Sequence, residues 1–362
     1  MPTRFRRALP KLLPALVLLT AGSQVAASTL NQNVSWTIDR PGTSNVYRVV
    51  AYGDSIYAGY NGSTVNAAKY SAPTVDAEYL SAQWNADIES VRRTKSGAIA
   101  SDVYNNKIVA ERSYMQASNT RVVTFEMCGN DGLQARTAFK SQSGTCDDSV
   151  LTAAEANCKT YVTAAMDYIN ANAYSGVKLK VISNLHYPGY TADNTPSSCK
   201  DPKTGATVNM QEKFLPSLAR INHMMCDVAR QKGFMCADNF AQYMGSDYDS
   251  NGDGRIDSEA LRYVAGESQA SYVTRITSTL RSTIRDANAH FVSASSSYDY
   301  IQSDDTHPTY SGSTVSAGLL GGSTGSGAPR YTSFVGGKNP IWNQYGHERM
   351  GWAVSTFNTP AP

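Results

Sequence analysis

The sequence lacks several features that define other classes of protein. It has no C-x-x-C pair, no internal repeat and, after its first twenty residues, no long hydrophobic run. The first absence argues against a zinc site built from closely spaced cysteines, and the last argues against a permanent membrane-spanning helix. Extended runs of Lys and Arg are also missing after residue 11, so nothing indicates a nucleic-acid partner.

The start of the chain has the composition of an export signal. Its first eleven residues include four basic residues and no acidic one, Leu12 to Thr20 is apolar, and Val25-Ala26-Ala27 supplies the small residues that a signal peptidase recognises. We therefore expect a signal peptide at residues 1–27 and a secreted mature chain, extracellular or periplasmic, without a stable membrane anchor. An uncleaved anchor is the alternative. Removal of the signal changes the formal net charge from +2 to −2.

All six cysteines lie in the mature part of the chain. They are Cys128, Cys146, Cys158, Cys199, Cys226 and Cys236. An even number in an exported chain predicts up to three disulfides, and fifteen pairings are open to six cysteines. A single reactive cysteine at Cys128 is the alternative.

Strand patterns alternate with helical patterns along the chain. Apolar and β-branched runs predict strands at Val46 to Tyr52, Arg121 to Met127, Val177 to Leu185 and, more weakly, Phe234 to Phe240. The clearest helical stripe runs from Phe214 to Val228 and stops at Gly233. This alternation predicts an α/β fold with a parallel sheet covered on both faces, and ligands of such sheets bind beyond the carboxyl ends of the strands.

Two separate segments could supply a serine nucleophile and its base. The first predicted strand ends at Gly53-Asp54-Ser55, and the segment S-D-D-T-H-P-T later in the chain contains Asp304, Asp305 and His307. An Asp three residues before a His can hold one ring nitrogen while the other faces the serine. An exposed, Asp-rich turn that happens to contain a histidine is the alternative.

With these residues the sequence resembles the SGNH hydrolases, also called the GDSL esterase/lipase family. The resemblance rests on four blocks in order, which together span residues 46 to 308. They are Gly53-Asp54-Ser55-Ile56, Ser96-Gly97-Ala98, Gly129-Asn130-Asp131 and Asp304-x-x-His307-Pro308. The resemblance implies a flavodoxin-like, three-layer α/β/α sandwich with a parallel sheet of about five strands.

The resemblance also implies a role for each site residue. Ser55 is the nucleophile, His307 the general base, and Asp304 holds the histidine tautomer, with Asp305 as its competitor. The backbone amides of Ser55 and Gly97 and the side chain of Asn130 form the oxyanion hole.

These roles predict a monomeric serine esterase or lipase that hydrolyses carboxylic esters through an acyl-enzyme and needs no catalytic cofactor. Its substrate would be a small-molecule, lipid or acetylated-glycan ester. A carbohydrate O-acetylesterase, a phospholipase and a non-catalytic binding protein are the alternatives.

A second serine matches another catalytic motif. Gly321 to Gly325 fits the G-x-S-x-G pattern of nucleophile elbows, but no acidic residue lies between Ser323 and His347 and the residues that follow cannot start a helix. Ser323 is therefore excluded as the nucleophile. His186 is interpreted as a structural histidine, with lining of the pocket as the alternative, and His347 as a cap or surface residue. His223 and His290 have no partner that the sequence identifies.

Residues 247–260 resemble the calcium loop of EF-hand and dockerin modules. Oxygen ligands occupy loop positions one, three, five and nine, and the acid expected at position twelve stands one place early. The predicted ligands are Asp249, Asn251, Asp253, Asp257 and Glu259. Since short carboxylates at this spacing wrap around a hard cation, we predict a structural Ca²⁺ ion. An Asp/Gly-rich turn without metal is the alternative.

The predicted domain organisation follows from these segments. After the signal peptide come an N-terminal extension at residues 28–45 and one hydrolase domain at residues 46–358. The calcium loop and a Gly/Ser-rich loop at residues 310–337 are insertions in that domain.

Overall fold

The computed structural model describes residues 33–60, 71–190, 192–244, 261–283, 306–308 and 350. Its strands are β1 (Val34–Ile38), β2 (Val46–Gly53), β3 (Asp87–Thr94), β4 (Thr120–Phe125), β5 (Gly144–Thr145), β6 (Leu179–Ser183), β7 (Pro196–Lys200), β8 (Thr207–Asn209) and β9 (Met235–Ala237). Its helices are α1 (Ser55–Ala58), α2 (Ala72–Trp84), α3 (Ala100–Asp102), α4 (Ser113–Gln116), α5 (Gly129–Lys140), α6 (Ser149–Asn172), α7 (Met210–Lys232), α8 (Asn239–Met244) and α9 (Gln269–Thr283), and a π-helical segment follows α3 at Val103–Val109. The predicted signal peptide, calcium loop and Gly/Ser-rich loop lie outside the described residues.

A six-stranded sheet forms the centre of the fold. Its strand order is β1-β3-β2-β4-β6-β9. The five strands from β3 to β9 run parallel to one another, and β1 joins the edge antiparallel to β3. The four strands predicted from the sequence are all present in this sheet. The predicted fold class, an α/β fold with about five parallel strands, is confirmed.

The strand β3 was not predicted from the sequence, because four of its eight residues are charged. These charges are nevertheless accommodated inside the fold. The guanidinium of Arg92 lies 4.4 Å from the centroid of the Trp36 ring, and Arg93 forms an ion pair with Glu111. Paired and stacked charges can be buried in a sheet, whereas a pattern search reads them as solvent-exposed.

Both faces of the sheet are buried, which makes the three layers. Successive residues of a strand point to opposite faces. Accordingly, Val49 packs in one apolar cluster with Leu80 and Trp84 of α2, and Val50 packs in the other with residues of α6 and α7. The carboxyl ends of the parallel strands are thereby held at one edge between two layers of helices.

Three disulfides join the start of α5 to α6, the residue after β5 to β7, and α7 to β9. The bridges are Cys128–Cys158, Cys146–Cys199 and Cys226–Cys236. They use all six cysteines, so the predicted number is confirmed and the pairing is now fixed. Among the helices that the structure describes, none is long and apolar enough to cross a bilayer.

Candidate active site

The turn after β2 presents Ser55 at the first residue of α1. Asp54 caps this short helix, since its Oδ1 accepts a hydrogen bond of 2.8 Å from the backbone N–H of Ile56. Gly53 is required just before it, because a Cβ there would lie 2.8 Å from the Cβ of Tyr57. The local sequence therefore fixes the serine at the carboxyl end of a central strand.

The histidine of the last sequence block reaches this serine. His307 Nε2 lies 2.8 Å from Ser55 Oγ, although 252 positions separate the two residues in the chain. The ring of Tyr60 stacks against the imidazole with 4.4 Å between the ring centroids. When the ring hydrogen is on Nδ1, Nε2 accepts the serine proton, which is the arrangement that a nucleophile and its general base require.

A second histidine supports the segment that carries the first. His186 lies just after β6, and its Nε2 is 2.9 Å from the carbonyl oxygen of Thr306. Because a carbonyl only accepts, His186 donates this bond and holds the chain next to His307. This contact agrees with the structural role predicted for His186 and adds that it lines the pocket described below.

The second and third sequence blocks are tied together beside Ser55. Gly97 adopts a left-handed conformation with φ of +77°, which favours glycine. Asn130 Nδ2 donates to the carbonyl of Ala98 at 3.0 Å, and Asp131 Oδ2 accepts from the N–H of Ala100 at 2.7 Å. The G-N-D segment therefore positions the loop that carries the predicted oxyanion glycine.

The amide of Asn130 has a second acceptor. Its Nδ2 also donates to Asp54 Oδ2 at 2.9 Å, so both amide hydrogens are used within the protein. A developing oxyanion would have to take over one of these two bonds. The oxyanion role of Asn130 and of the backbone amides of Ser55 and Gly97 stays a prediction.

Buried carboxyl groups surround the base of the nucleophile turn. Burial raises the pKa of Asp54 to about 6, and burial followed by the nearby charge of Asp54 raises the pKa of Glu126 well above its usual value. Burial also raises the pKa of Asp131. Sequence analysis missed Glu126; its signal was a single acidic residue in the apolar run R-V-V-T-F-E-M.

A mostly apolar pocket opens beside Ser55. Its apolar wall comprises Ile56, Leu133, Leu185, Pro188, Phe214 and Leu218. The lining also includes the polar residues Ser55, Asn130, Asn184 and His186, so an apolar chain can lie against the wall with its ester group at the serine.

Several predicted site residues cannot be placed. Asp304 and its competitor Asp305 lie outside the described residues, as do Ser323, His290 and His347. The five predicted calcium ligands do too, and within the described ranges there is no cluster of three or more His, Cys, Asp or Glu residues that could hold a metal ion. His223 is not among the residues that line the pocket, and its contact with the carbonyl of Glu267 at 2.7 Å is structural.

Comparison with known proteins gives only remote likenesses. No protein-family model matches the chain, and no curated protein matches it. Among solved structures, it is similar to a lipase from a goat rumen metagenome, with 14% identity, a TM-score of 0.42 and coverage of 66% of this chain and 99% of that one.

Two further solved structures are similar at the same level. A phospholipase A1 from Streptomyces albidoflavus NA297 is 16% identical with a TM-score of 0.36, covering 64% of this chain and 98% of that one. A catalytic mutant of an acetylxylan esterase from Geobacillus stearothermophilus is 14% identical with a TM-score of 0.35, covering 65% and 93%. At such low values these likenesses carry no argument about what this chain does, and its fold class follows from its own strands and helices.

Proposed function

We propose that this protein is a secreted serine hydrolase that cleaves carboxylic esters through an acyl-enzyme. The observation that carries the proposal is the 2.8 Å contact between Ser55 Oγ and His307 Nε2 at the carboxyl end of the central strand β2. The four sequence blocks and the three disulfides support it, since disulfides persist in exported proteins.

Acylation begins with a proton transfer within this pair. His307 Nε2 takes the hydroxyl proton as Ser55 Oγ attacks the ester carbonyl carbon. The protonated imidazole then gives that proton to the oxygen of the leaving alcohol, and the carbon–oxygen bond of the ester breaks. Asp304 is the residue that we assign to hold Nδ1–H during this step, on the basis of its spacing from His307.

Deacylation repeats the same steps with water. His307 removes a proton from a water molecule, the hydroxide oxygen attacks the acyl carbon, and Ser55 Oγ leaves with the proton from the imidazole. The negative charge on the carbonyl oxygen would be received by the backbone amides of Ser55 and Gly97 and by the Asn130 side chain. A preorganised donor of this kind contributes about 3 kcal/mol to lowering the barrier.

The pocket favours an apolar acyl group over acetyl. Most of the apolar wall is buried without a ligand, but Leu133 is only half-buried, and a chain longer than acetyl would cover its exposed part. Each buried methylene contributes about 0.8 kcal/mol. We therefore propose a medium-chain acyl ester as the preferred substrate.

The experiment measures hydrolysis of p-nitrophenyl esters from acetyl to palmitoyl by the mature, oxidised protein. We expect kcat/KM to rise with chain length to a maximum at medium chains, and Ser55→Ala to abolish it. Ser141→Ala removes an exposed serine hydroxyl and is the matched control. A maximum at acetyl would favour an O-acetylesterase, and a maximum at palmitoyl a lipase or phospholipase. No rate above the Ser55→Ala blank on any ester would contradict the proposal.

Narrowing the pocket mouth is expected to shorten the preferred acyl chain. Leu133 lies on α5, is half-buried and lines the pocket, so Leu133→Trp adds volume where a chain must pass. We expect kcat/KM for a medium-chain ester to fall about 10-fold or more while that for acetate changes little, since discrimination in an apolar pocket is worth about 1–3 kcal/mol for each methylene. Gln134→Trp, at the next, exposed position of the helix, is the control. Equal losses on both esters would contradict the assignment of the pocket.

A further inference from the structure

The carboxyl group of Glu126 lies directly under the turn that carries the nucleophile. Glu126 follows the last residue of β4, and its side chain is buried with only 1% exposure. Its Oε2 faces the backbone N–H of Asp54 at 3.4 Å. A Cβ on Gly53 would lie 3.1 Å from the same oxygen, so this acid fills the space immediately behind the turn.

The other oxygen of Glu126 has no donor. Oε1 is buried and receives no hydrogen bond, although the side chains of Glu126 and Asp54 interact directly. A Cβ built on Gly129 would be 3.6 Å from Glu126 Oε1 and 3.2 Å from Asp54 Oδ2. An ionised oxygen in this position would be desolvated without any compensating bond, which is strongly unfavourable.

The two acids differ in the donors that they receive. Asp54 accepts from the backbone N–H of Ile56 on one oxygen and from Asn130 Nδ2 on the other, at 2.8 and 2.9 Å. Both bonds favour an ionised Asp54. Among the ion pairs of the described residues, none involves Asp54 or Glu126, so no Lys or Arg there compensates a second negative charge.

We propose that Glu126 is a neutral carboxylic acid whose Oε1–H donates to Asp54 Oδ2. The two side chains then form one unit with a single charge and a single shared proton. Glu126 is a positioning residue: it touches no reacting atom, and it acts by holding the carboxylate that caps the Ser55 turn and orients the Asn130 amide. The raised pKa of Glu126, caused first by burial and then by the charge of Asp54, agrees with this assignment.

Other titratable groups near the pair do not remove the need for the proton. His307 lowers the pKa of Asp54, and Asp131 on α5 raises it, both by their charge. The imidazolium that forms during turnover would add a positive charge near Asp54, which favours the ionised form of this carboxylate.

The kinetic test compares two substitutions of similar size. In Glu126→Gln the side-chain N–H replaces the proposed O–H donor and the amide oxygen still accepts from Asp54 N–H. In Glu126→Met both groups are lost. The charged carboxylate of Asp54 then no longer accepts the proposed hydrogen bond. We expect kcat of the Met variant to lie about tenfold or more below that of the Gln variant, with KM similar in both. A tenfold loss corresponds to the free energy that a hydrogen bond to a charged group contributes. An equal loss in the two variants would overturn the proposal.

The spectroscopic test does not depend on hydrolysis. At about pH 8, where an ordinary carboxyl group is ionised, the infrared spectrum of the wild-type protein should contain the C=O band of a protonated carboxylic acid that shifts in D₂O. Glu126→Gln should remove part of that band. If that variant does not fold, Asp54→Asn provides the assignment: removing the neighbouring charge lowers the pKa of Glu126, so the band should weaken at the same pH.

The two tests distinguish failure of this proposal from failure of the proposed function. Only the kinetic test rests on the proposed function, because only that test requires ester hydrolysis. A protein that hydrolyses no ester but loses part of the infrared band in Glu126→Gln would contradict the esterase proposal and retain the shared proton. An active enzyme whose band is unchanged in Glu126→Gln would do the reverse, because the band would then come from another buried acid such as Asp76.

Discussion

Replacing His307 by alanine is expected to reduce kcat for ester hydrolysis on the order of 10⁵-fold, and Ser55→Ala added to it is expected to cost little more. The reason is the 2.8 Å contact between the two side chains. A serine without a base to take its proton is a poor nucleophile, and a base without the serine has nothing to activate. The loss therefore belongs to the pair rather than to either residue.

The measurement is single-turnover and steady-state hydrolysis of the preferred ester by the two single variants and the double variant. His223→Gln is the control, because it keeps a donor for the carbonyl of Glu267 at a histidine that does not line the pocket. Losses that multiply in the double variant would show that Ser55 and His307 act independently, and this would contradict the proposed mechanism. The remaining rate would report the contribution of the pocket and the oxyanion donors.

Asp193→Ala is expected to lower the free energy of unfolding by about 3–5 kcal/mol. Asp193 is fully buried, and its two oxygens each accept from the guanidinium of Arg136 at 2.6 Å. The hydroxyl of Tyr187 donates to it as well, at 3.0 Å. Removal of the carboxylate leaves Arg136 with a largely desolvated charge, and this accounts for most of the cost.

The position of Asp193 also connects this stability to the pocket. The backbone N–H of Asp193 donates to the carbonyl of Gly189 at 2.9 Å. Gly189 directly follows Pro188, which lines the pocket. We therefore expect Asp193→Ala to weaken the binding of long acyl chains as well as to lower the unfolding free energy.

Urea and thermal unfolding with the disulfides intact would measure the stability effect. Asp148→Ala is the matched control, because Asp148 is more than half exposed in its ion pair with Lys213, and such surface pairs contribute about 0–1 kcal/mol. The double variant Arg136→Met/Asp193→Leu should be more stable than Asp193→Ala alone, since it leaves no unpaired charge. A loss under about 1 kcal/mol for Asp193→Ala would mean that the buried pair is not the anchor that its geometry indicates.

The strands that could be predicted are those whose own residues form a continuous apolar run. The runs at β2, β4 and β6 are apolar on both faces because helices cover both sides, and this is visible without knowing the fold. The strand β3 was not visible, because its charges find partners such as Trp36 and Glu111 only in the folded state. The antiparallel edge strand β1 lies in the predicted N-terminal extension. It pairs with β3, so it also depends on contacts that form only in the folded state.

The part of the candidate site that could be predicted is the part that residue types and their order along the chain identify. The pairing of Ser55 with His307 could be predicted because the two blocks follow a family pattern. Glu126 could not, since its environment is created by Asp54, which is 72 positions away, and a lone glutamate is usually solvent-exposed. Disulfide pairing and the pocket wall depend in the same way on distances between helices that no local pattern encodes.

The bond between Cys128 and Cys158 has a consequence for how the enzyme matures. Cys128 precedes Gly129 and Asn130 directly, and it adopts a left-handed conformation with φ of +82° that costs free energy for a residue other than glycine. Its side chain is bonded covalently to Cys158 of α6. We therefore expect the geometry at Asn130 to depend on thiol oxidation. A chain kept under reducing conditions would be synthesised in full and yet remain immature until an oxidant reaches it.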